Sequence, residues 1–148
     1  MYHIIPYLSY EFNSTHKKEL IIERYCNSVT IVQKLSITKT DSCQNYEGTL
    51  HNNGFKLRRI FKQGYSAFLP ILSCEIIDQE NVAYLKVSIR FHKYVNIGLS
   101  IFLLLEIAIF GLDFNSFFML LIPYTLIISV FNKEVKLLND KLLDIIKQ

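Results

Sequence analysis

The sequence predicts an α+β domain with a mostly antiparallel sheet and one covering helix, followed by a two-helix transmembrane hairpin and a C-terminal amphipathic helix. Apolar and polar residues alternate through much of the first 94 residues, a pattern typical of strands with one buried face. Lys, Arg and His are absent from residues 95–131, as expected for a segment surrounded by lipid. After Lys133, apolar residues recur every three or four positions, which predicts the last helix.

Charge divides the chain into a domain at 1–94, a hairpin at 95–131 and a final helix at 132–148. Residues 1–93 hold 12 Lys/Arg and 8 Asp/Glu, a net charge of +4, whereas the hairpin segment holds only Glu106 and Asp113. A domain of roughly 90 residues builds one hydrophobic core and no second one. We therefore expect one folded domain with a membrane anchor.

The sequence of the N-terminal part predicts a strand, a helix and a second strand, in that order. The first strand covers Ile4–Phe12 and the helix covers Ser14–Cys26, where Ser14 or Thr15 can cap the helix. Alternation over Val29–Thr38, with an irregularity near its middle, predicts the next strand.

Two hairpins are expected in the rest of the domain. The turn Asn52–Asn53–Gly54 lies between strands at Tyr46–His51 and Phe55–Lys62, and Asn and Gly accept the positive φ that such turns need. The second hairpin joins Phe68–Ile77 to Val82–His92 through Asp78–Asn81.

The last strand has one apolar and one basic face. The apolar face consists of Ala83, Leu85, Val87, Ile89 and Phe91, and the other face of Tyr84, Lys86, Ser88, Arg90 and His92. Arg59 interrupts an apolar row in its own strand, where an inward Arg serves as an edge-strand guard or as an anion site. The residues that we expect to bind an anionic ligand or lipid headgroups are Arg58, Arg59, Lys62, Lys86, Arg90 and His92. The simpler alternative is a solvated face beside an anionic leaflet.

The hairpin segment divides into two apolar runs, Val95–Leu112 and Phe114–Phe131. Each is just long enough for a hydrocarbon core of about 30 Å. A buried hairpin in a soluble protein is the alternative, but soluble helices keep a polar stripe and these runs show none. Cations flank both sides, so we expect both termini to be cytoplasmic in a multi-pass protein of the cell inner membrane.

Glu106 is the unusual residue of this segment, because a charge inside a bilayer costs several kcal/mol. Antiparallel pairing about a turn near Phe114 places Glu106 level with Pro123 and Tyr124, and Ser100 beside Ser129. The functional interpretation is a proton or ion site, or a contact that drives oligomerisation. The structural interpretation is a polar clamp within the hairpin.

The final helix carries an apolar stripe at Val135, Leu138, Leu142 and Ile145. The stripe is too wide to remain in water. The helix is therefore expected to lie along lipid headgroups, to pack on the domain or to pair with a second copy.

Enzymatic chemistry finds little support. The four His and three Cys lack metal-ligand spacing, so no metal or cofactor is expected. No Gly-rich phosphate loop or hydrolase motif occurs, so we expect no enzyme. A net charge of +4 spread over the domain argues against nucleic-acid binding.

Several short patterns carry a resemblance. They are Tyr46–Glu47–Gly48, the F-x-x-x-R-I strand at Phe55–Ile60, Phe68–Leu69–Pro70 and the R-x-H strand end at Arg90–His92. In these four patterns the chain resembles a family of small uncharacterised bacterial membrane proteins. The resemblance implies a strand-rich domain leading into a membrane hairpin, and it implies no activity. The positions that it marks are Tyr46, Gly48, Phe55, Arg59, Phe68, Pro70, Arg90 and His92, and the loop Gly64–Pro70 is less polar than the family version.

The leading functional expectation is a non-enzymatic membrane protein whose cytosolic domain and terminal helix bind a protein partner, in a toxin–immunity, defence or envelope-stress role. Self-association is part of this expectation. The alternative is a membrane effector whose sheet senses a small anionic ligand such as a nucleotide, and whose hairpins oligomerise to permeabilise the bilayer. An enzyme acting on lipid is a third option, which rests only on the position of the domain beside the membrane.

Overall fold

The computed structural model describes residues 5–33, 35, 45–60, 69–79, 82–110 and 114–147, apart from the side chains of residues 79, 82, 103, 106, 110 and 114–120. Its elements are β1 (Tyr7–Ser14), α1 (Lys18–Ser28), β2 (Thr30–Ile31), β3 (Tyr46–His51), β4 (Gly54–Arg59), β5 (Ile71–Gln79), β6 (Val82–Arg90), α2 (Lys93–Phe110) and α3 (Phe114–Lys147). The predicted α+β class with a mostly antiparallel sheet is confirmed.

The six strands form one sheet in the order β1-β6-β5-β4-β3-β2. All neighbours are antiparallel except β2 and β3, which pair in parallel. Both predicted hairpins are present, and Gly54 after the Asn52–Asn53 turn has a φ of 154°. The first strand therefore pairs with the last one, which carries the chain from the sheet into α2.

Several predicted boundaries were wrong. In the second hairpin, β5 continues through Asp78 to Gln79, which were predicted in the turn, and β6 ends at Arg90 and not at His92. The first strand extends to Ser14, which is buried and pairs with Ala83. The helix consequently starts later than predicted, at Lys18, and no side chain caps it. The Ser14 hydroxyl instead accepts a hydrogen bond of 3.1 Å from the His16 N–H, which forms a local turn between strand and helix. Of the strand predicted at Val29–Thr38 the structure shows the two residues of β2, and residues 34 and 36–44 lie outside the described residues.

One face of the sheet holds the hydrophobic core. The predicted apolar face of the last strand is confirmed, since every member from Ala83 to Phe91 is buried. Two helices cover it, not one: α1 contributes Ile21 and Tyr25, and the C-terminal half of α3 contributes the predicted stripe. Burial of this stripe supplies much of the hydrophobic stabilisation, at about 25 cal/mol per Å² of apolar surface.

Gly48 allows the close packing of α1 on the sheet. A Cβ at this position would lie 1.7 Å from the Tyr25 hydroxyl oxygen, so no other residue fits without a rearrangement. The space lets the Tyr25 hydroxyl donate a 2.7 Å hydrogen bond to the Lys56 carbonyl oxygen. Tyr25 also stacks on Phe55, with ring centroids 4.2 Å apart.

α3 is a single helix of 34 residues, about 51 Å long at 1.5 Å per residue. The sequence was expected to form two elements, with a division near Asn132. No Gly or Pro occurs between Tyr124 and Lys147, so nothing interrupts the backbone hydrogen bonds there. The segment 132–148 is therefore no separate element, because its described residues belong to α3 and their apolar stripe lies in the core.

α2 and the N-terminal half of α3 contact each other and form a hairpin. Their large apolar side chains are exposed, from Ile97 and Ile109 on α2 to Ile122 and Leu126 on α3. Measured by hydropathy over the described residues, neither these helices nor α1 contains a stretch that is long and apolar enough to cross a membrane.

Candidate functional site

The sheet face opposite the helices carries a cluster of polar side chains. Three serines lie in register across three adjacent strands: Ser9 on β1 opposes Ser88 on β6, which opposes Ser73 on β5. We call these three residues the serine row. Short side chains in the middle of a face of longer ones leave a depression that crosses the strands.

Lys56 extends this row onto β4, where it is in register with Ser73. The adjacent row towards the β5–β6 turn contains Glu11, Lys86 and Glu75 in register. The Lys86 ammonium lies 3.6 Å from the Glu11 carboxylate, and both side chains are about half exposed. Such an exposed pair contributes little stability, so the ammonium can exchange partners.

A cavity of about 360 Å³ occupies the depression. Its lining combines the serine row with Tyr7, His51, Asn53, Gly54, Lys56, Glu75 and Lys86, among others. Gly54 is needed here, because a Cβ would lie 2.0 Å from the Cys74 carbonyl oxygen. The volume falls within the range of small-molecule sites, about 300–1,000 Å³.

Two of the predicted cations form internal ion pairs. Arg58 lies on the polar face as expected, but its side chain is buried, at 1% exposure, and its Nε donates to Glu47 Oε1 at 2.9 Å. Arg59 points to the helix side, and its Nε donates to Glu134 Oε2 of α3 at 2.9 Å. The expectation of an exposed Arg58 is therefore corrected, and the inward Arg59 serves as a link between β4 and α3.

The other predicted cations have different positions. Lys86 lines the cavity and Arg90 is exposed four residues further along β6. His92 lies just before α2, where its ring stacks on Tyr94 with centroids 5.1 Å apart. Lys62 lies outside the described residues.

Burial holds the Cys74 thiol and the Tyr10 hydroxyl of the domain in their neutral forms. Burial raises the pKa of the Cys74 thiol to about 12 and that of the Tyr10 hydroxyl to about 12. A hydrogen bond to Glu11 raises the pKa of Tyr84. Cys74 therefore carries no thiolate at neutral pH and is not a nucleophile. The described residues contain no cluster of three metal-ligating side chains.

The polar residues predicted within the hairpin are partly described. Tyr124 and Ser100 line one apolar groove of about 390 Å³ between α2 and α3, together with Pro123. The Ser100 hydroxyl donates to the Asn96 carbonyl oxygen at 3.0 Å, and Ser129 is exposed on α3. The side chain of Glu106 lies outside the described part, so its pairing with Tyr124 stays a prediction.

Sequence reasoning places Lys56 on the polar side of its strand but does not count it among the binding residues, and it missed Glu134 and the role of the serines. The serines had a signal, since each is a polar residue on the outer face of an alternating strand. Recognising them as one row required the register of three strands. Glu134 had no signal, because its partner Arg59 is 75 residues away in the chain.

Comparison with known proteins gives no match: no family model fits the sequence, and neither curated proteins nor solved structures show a significant similarity. The resemblance noted in the sequence therefore stays a prediction, and the function must be argued from the geometry.

Proposed function

We propose that this chain is a small integral membrane protein that holds a non-enzymatic binding domain on the cytosolic surface of the cell inner membrane. The hairpin at 95–112 and 114–131 is the proposed anchor. The observation that carries the proposal is the exposed apolar surface of this hairpin: Ile109 is 70% exposed, Leu126 is 63% exposed and Ile122 is 60% exposed. Apolar surface of this extent needs a cover, and lipid provides one along the whole hairpin.

Polar side chains in the hairpin bond within their own helices, which supports the anchor. Besides Ser100, the Thr125 hydroxyl donates to the Ile122 carbonyl oxygen, and just beyond the hairpin the Asn132 amide donates to the Ile128 carbonyl oxygen, each at 2.8 Å. A hydrocarbon environment offers no water as a hydrogen-bond partner, so polar side chains there must form their hydrogen bonds within the protein.

The two ends of the hairpin lie at one level, as a membrane margin requires. The Phe91 and Phe131 rings are 5.3 Å apart, so the start of α2 and the middle of α3 are neighbours. Lys93 follows Phe91, with its ammonium 5.1 Å from the Tyr94 ring centroid, and Lys133 follows Phe131. Cations and an aromatic ring at this level suit the headgroup region.

α3 gives the anchored domain a means to communicate with its hairpin. The helix continues without a break from the exposed apolar half into the core, and Arg59 of β4 binds Glu134 close to the crossover. A ligand that shifts the sheet would therefore shift α3 along its length. This continuity favours a domain that senses a small anionic ligand over one that holds a partner through its terminal helix, because the apolar stripe of that helix is already buried.

Extraction experiments test the anchor. Membranes from cells that express the full chain are washed with alkaline carbonate, and we expect the protein to stay in the pellet. The variant Leu126→Arg should move into the supernatant or be degraded, whereas Leu143→Arg, an exposed position in the domain half of α3, should remain in the pellet. Release of the unaltered chain by carbonate would contradict the proposal.

If the protein is a membrane effector, it must also change the permeability of the bilayer. If the hairpins cluster to permeabilise the bilayer, overexpression should admit a membrane-impermeant dye, and Glu106→Gln should reduce its uptake. Unchanged permeability with every ligand would leave the binding domain without an effector role.

A protein partner is the second candidate. The observation that favours it is β1, which forms one edge of the sheet over eight residues and can accept a further strand. Purification in mild detergent should then return a stoichiometric partner, and Ser9→Pro should abolish its recovery. Recovery of the chain alone would exclude a stable partner.

A further inference from the structure

We propose that the serine row and the cations beside it bind a small phosphate-bearing ligand with a hydroxylated body, such as a phosphorylated sugar or a mononucleotide. The inference deepens the proposed function, because it names the ligand class of the anchored domain.

The serine row supplies donors at a spacing suited to a phosphate. Neighbouring strands lie about 4.8 Å apart, so the hydroxyls of Ser88 and Ser73 flank a space in which each can donate to a different oxygen of one phosphate. The backbone of β4 and β5 is close here because Gly54 has no side chain.

The cations are distributed around the same space. Lys56 lines the cavity at the β4 end of the row, and Lys86 lines it two residues from Ser88 on β6. Arg90 is exposed on the same face, two residues from Ser88 on the other side. Hydrogen bonds from charged donors to phosphate are roughly twice as strong as neutral ones.

The carboxylate of Glu75 explains why a plain anion is a poor fit and a phosphorylated polyol a good one. Glu75 lines the cavity and is in register with Lys86 on one side and Gly54 on the other. A carboxylate accepts hydrogen bonds only, so it repels a second phosphate and binds sugar hydroxyls. The site therefore has a donor-rich end and an acceptor end, within a volume that suits one nucleotide-sized molecule.

Binding is tested on the full chain in nanodiscs of phosphatidylcholine, with calorimetry and thermal unfolding as readouts. The probes are ribose 5-phosphate, inorganic phosphate and ribose. We expect ribose 5-phosphate to bind and to raise the unfolding temperature, inorganic phosphate to bind at least tenfold more weakly, and ribose to have no effect.

Three variants locate the site. Lys56→Gln should weaken ribose 5-phosphate binding at least tenfold, and Ser88→Leu, which fills the depression, should abolish it. Lys136→Gln removes an exposed cation from α3 on the helix side and should leave binding unchanged. Unfolding temperatures without ligand show that each variant is folded.

The outcomes separate the explanations. The site is overturned if the folded protein does not bind ribose 5-phosphate. It is also overturned if Lys56→Gln and Ser88→Leu bind it as tightly as the unaltered chain does. Equal binding of ribose and ribose 5-phosphate overturns the role of the phosphate. Loss of ribose 5-phosphate binding when phosphatidylglycerol is added to the nanodiscs supports the same phosphate chemistry with a lipid headgroup as its source. Carbonate extraction tests the anchor independently, so failure of the ligand and failure of the anchor are distinguishable.

Discussion

The two halves of α3 both carry large apolar side chains but have opposite surroundings. In the half that precedes Phe131, Ile122 and Leu126 are exposed, whereas in the half that follows it Leu138 and Leu142 are almost completely buried. The second half alternates its apolar stripe with Lys and Asp, and the first half has no charged residue in its sequence. One continuous helix is thus matched to two environments, a protein core at one end and the proposed bilayer at the other.

The difference shows that hydrophobicity alone does not say where a helix packs. A helix that is apolar on one side finds its partner in the sheet of the same domain, because only that arrangement keeps its charges in water. The first half of α3 has no such charged side, and several of its apolar side chains stay exposed. The charged positions of α3 therefore carry as much information as the apolar ones.

The largest expected effect contrasts one leucine from each half. Leu138→Ala removes a fully buried side chain and should cost about 2–5 kcal/mol of unfolding free energy. Leu126→Ala, at an exposed position, should change it by less than about 0.5 kcal/mol. Urea unfolding in detergent micelles, followed by circular dichroism of the sheet, measures both, and equal losses would show that the halves do not differ.

The next contrast concerns ion pairs along the buried half. Glu134→Gln leaves the Arg59 guanidinium without its carboxylate partner, and the partial exposure of Arg59 limits the expected loss to about 1–3 kcal/mol. Asp144→Asn removes a carboxylate 3.2 Å from Lys141 at a more exposed position, with an expected loss below about 0.5 kcal/mol. If Glu134→Gln were as mild as Asp144→Asn, the link between β4 and α3 would have no energetic importance.

Alkaline pH should weaken the core that the second half of α3 covers. The pKa of Cys74 is raised by burial from 9.0 to about 12, so above about pH 9 only the unfolded chain releases this proton. The stabilisation is complete below that pH and falls by about 1.4 kcal/mol per pH unit as the pH rises towards 12. Tyr10 adds a smaller decrease above pH 10.0, since it is only half-buried. Unfolding free energies measured between about pH 8 and pH 11 should show this slope, and Cys74→Ala should flatten its lower part, below the ordinary tyrosine pKa of 10.0 at which the buried tyrosines begin to contribute.

The smallest expected effect comes from one hydrogen bond between β1 and the buried half. The Tyr10 hydroxyl donates to Asn139 Oδ1 at 2.6 Å, and Tyr10→Phe should cost about 0.5–1.5 kcal/mol. Tyr7→Phe alters an exposed ring on the opposite face of the same strand and should be neutral in the same urea titration. A neutral Tyr10→Phe would show that β1 is held to the domain by its ladder with β6 alone.

Much of the fold follows from local patterns in the sequence. The Asn-Gly turn and the alternation from Val82 to Phe91 predict strands and their buried face correctly, because both depend on neighbouring residues. The stripe at Val135 and Leu138 predicts an amphipathic helix for the same reason. The sequence does not say whether lipid, the domain or a second copy of the chain covers this stripe. The pattern of a stripe gives its apolar area but does not identify the surface that packs against it.

The candidate site was less predictable because it depends on register and on distant pairs. Arg58 and Arg59 are adjacent and similar in sequence, yet each is paired with a different carboxylate on a different side of the sheet. Glu47 and Glu134 form ion pairs with these two arginines. No local sequence pattern predicts either pair. The cations that remain at the cavity are lysines, of which Lys56 became noteworthy only when Ser73 was found beside it.

A single engineered tryptophan in each half of α3 tests the central claim most directly, because the chain contains no Trp of its own. Leu126→Trp and Leu143→Trp are placed at exposed positions in the first and second halves, 63% and 43% exposed. In vesicles with brominated acyl chains, the account predicts blue-shifted emission and strong quenching for Leu126→Trp, and aqueous emission without quenching for Leu143→Trp. Aqueous emission and equal quenching by iodide at both positions would contradict an anchored hairpin.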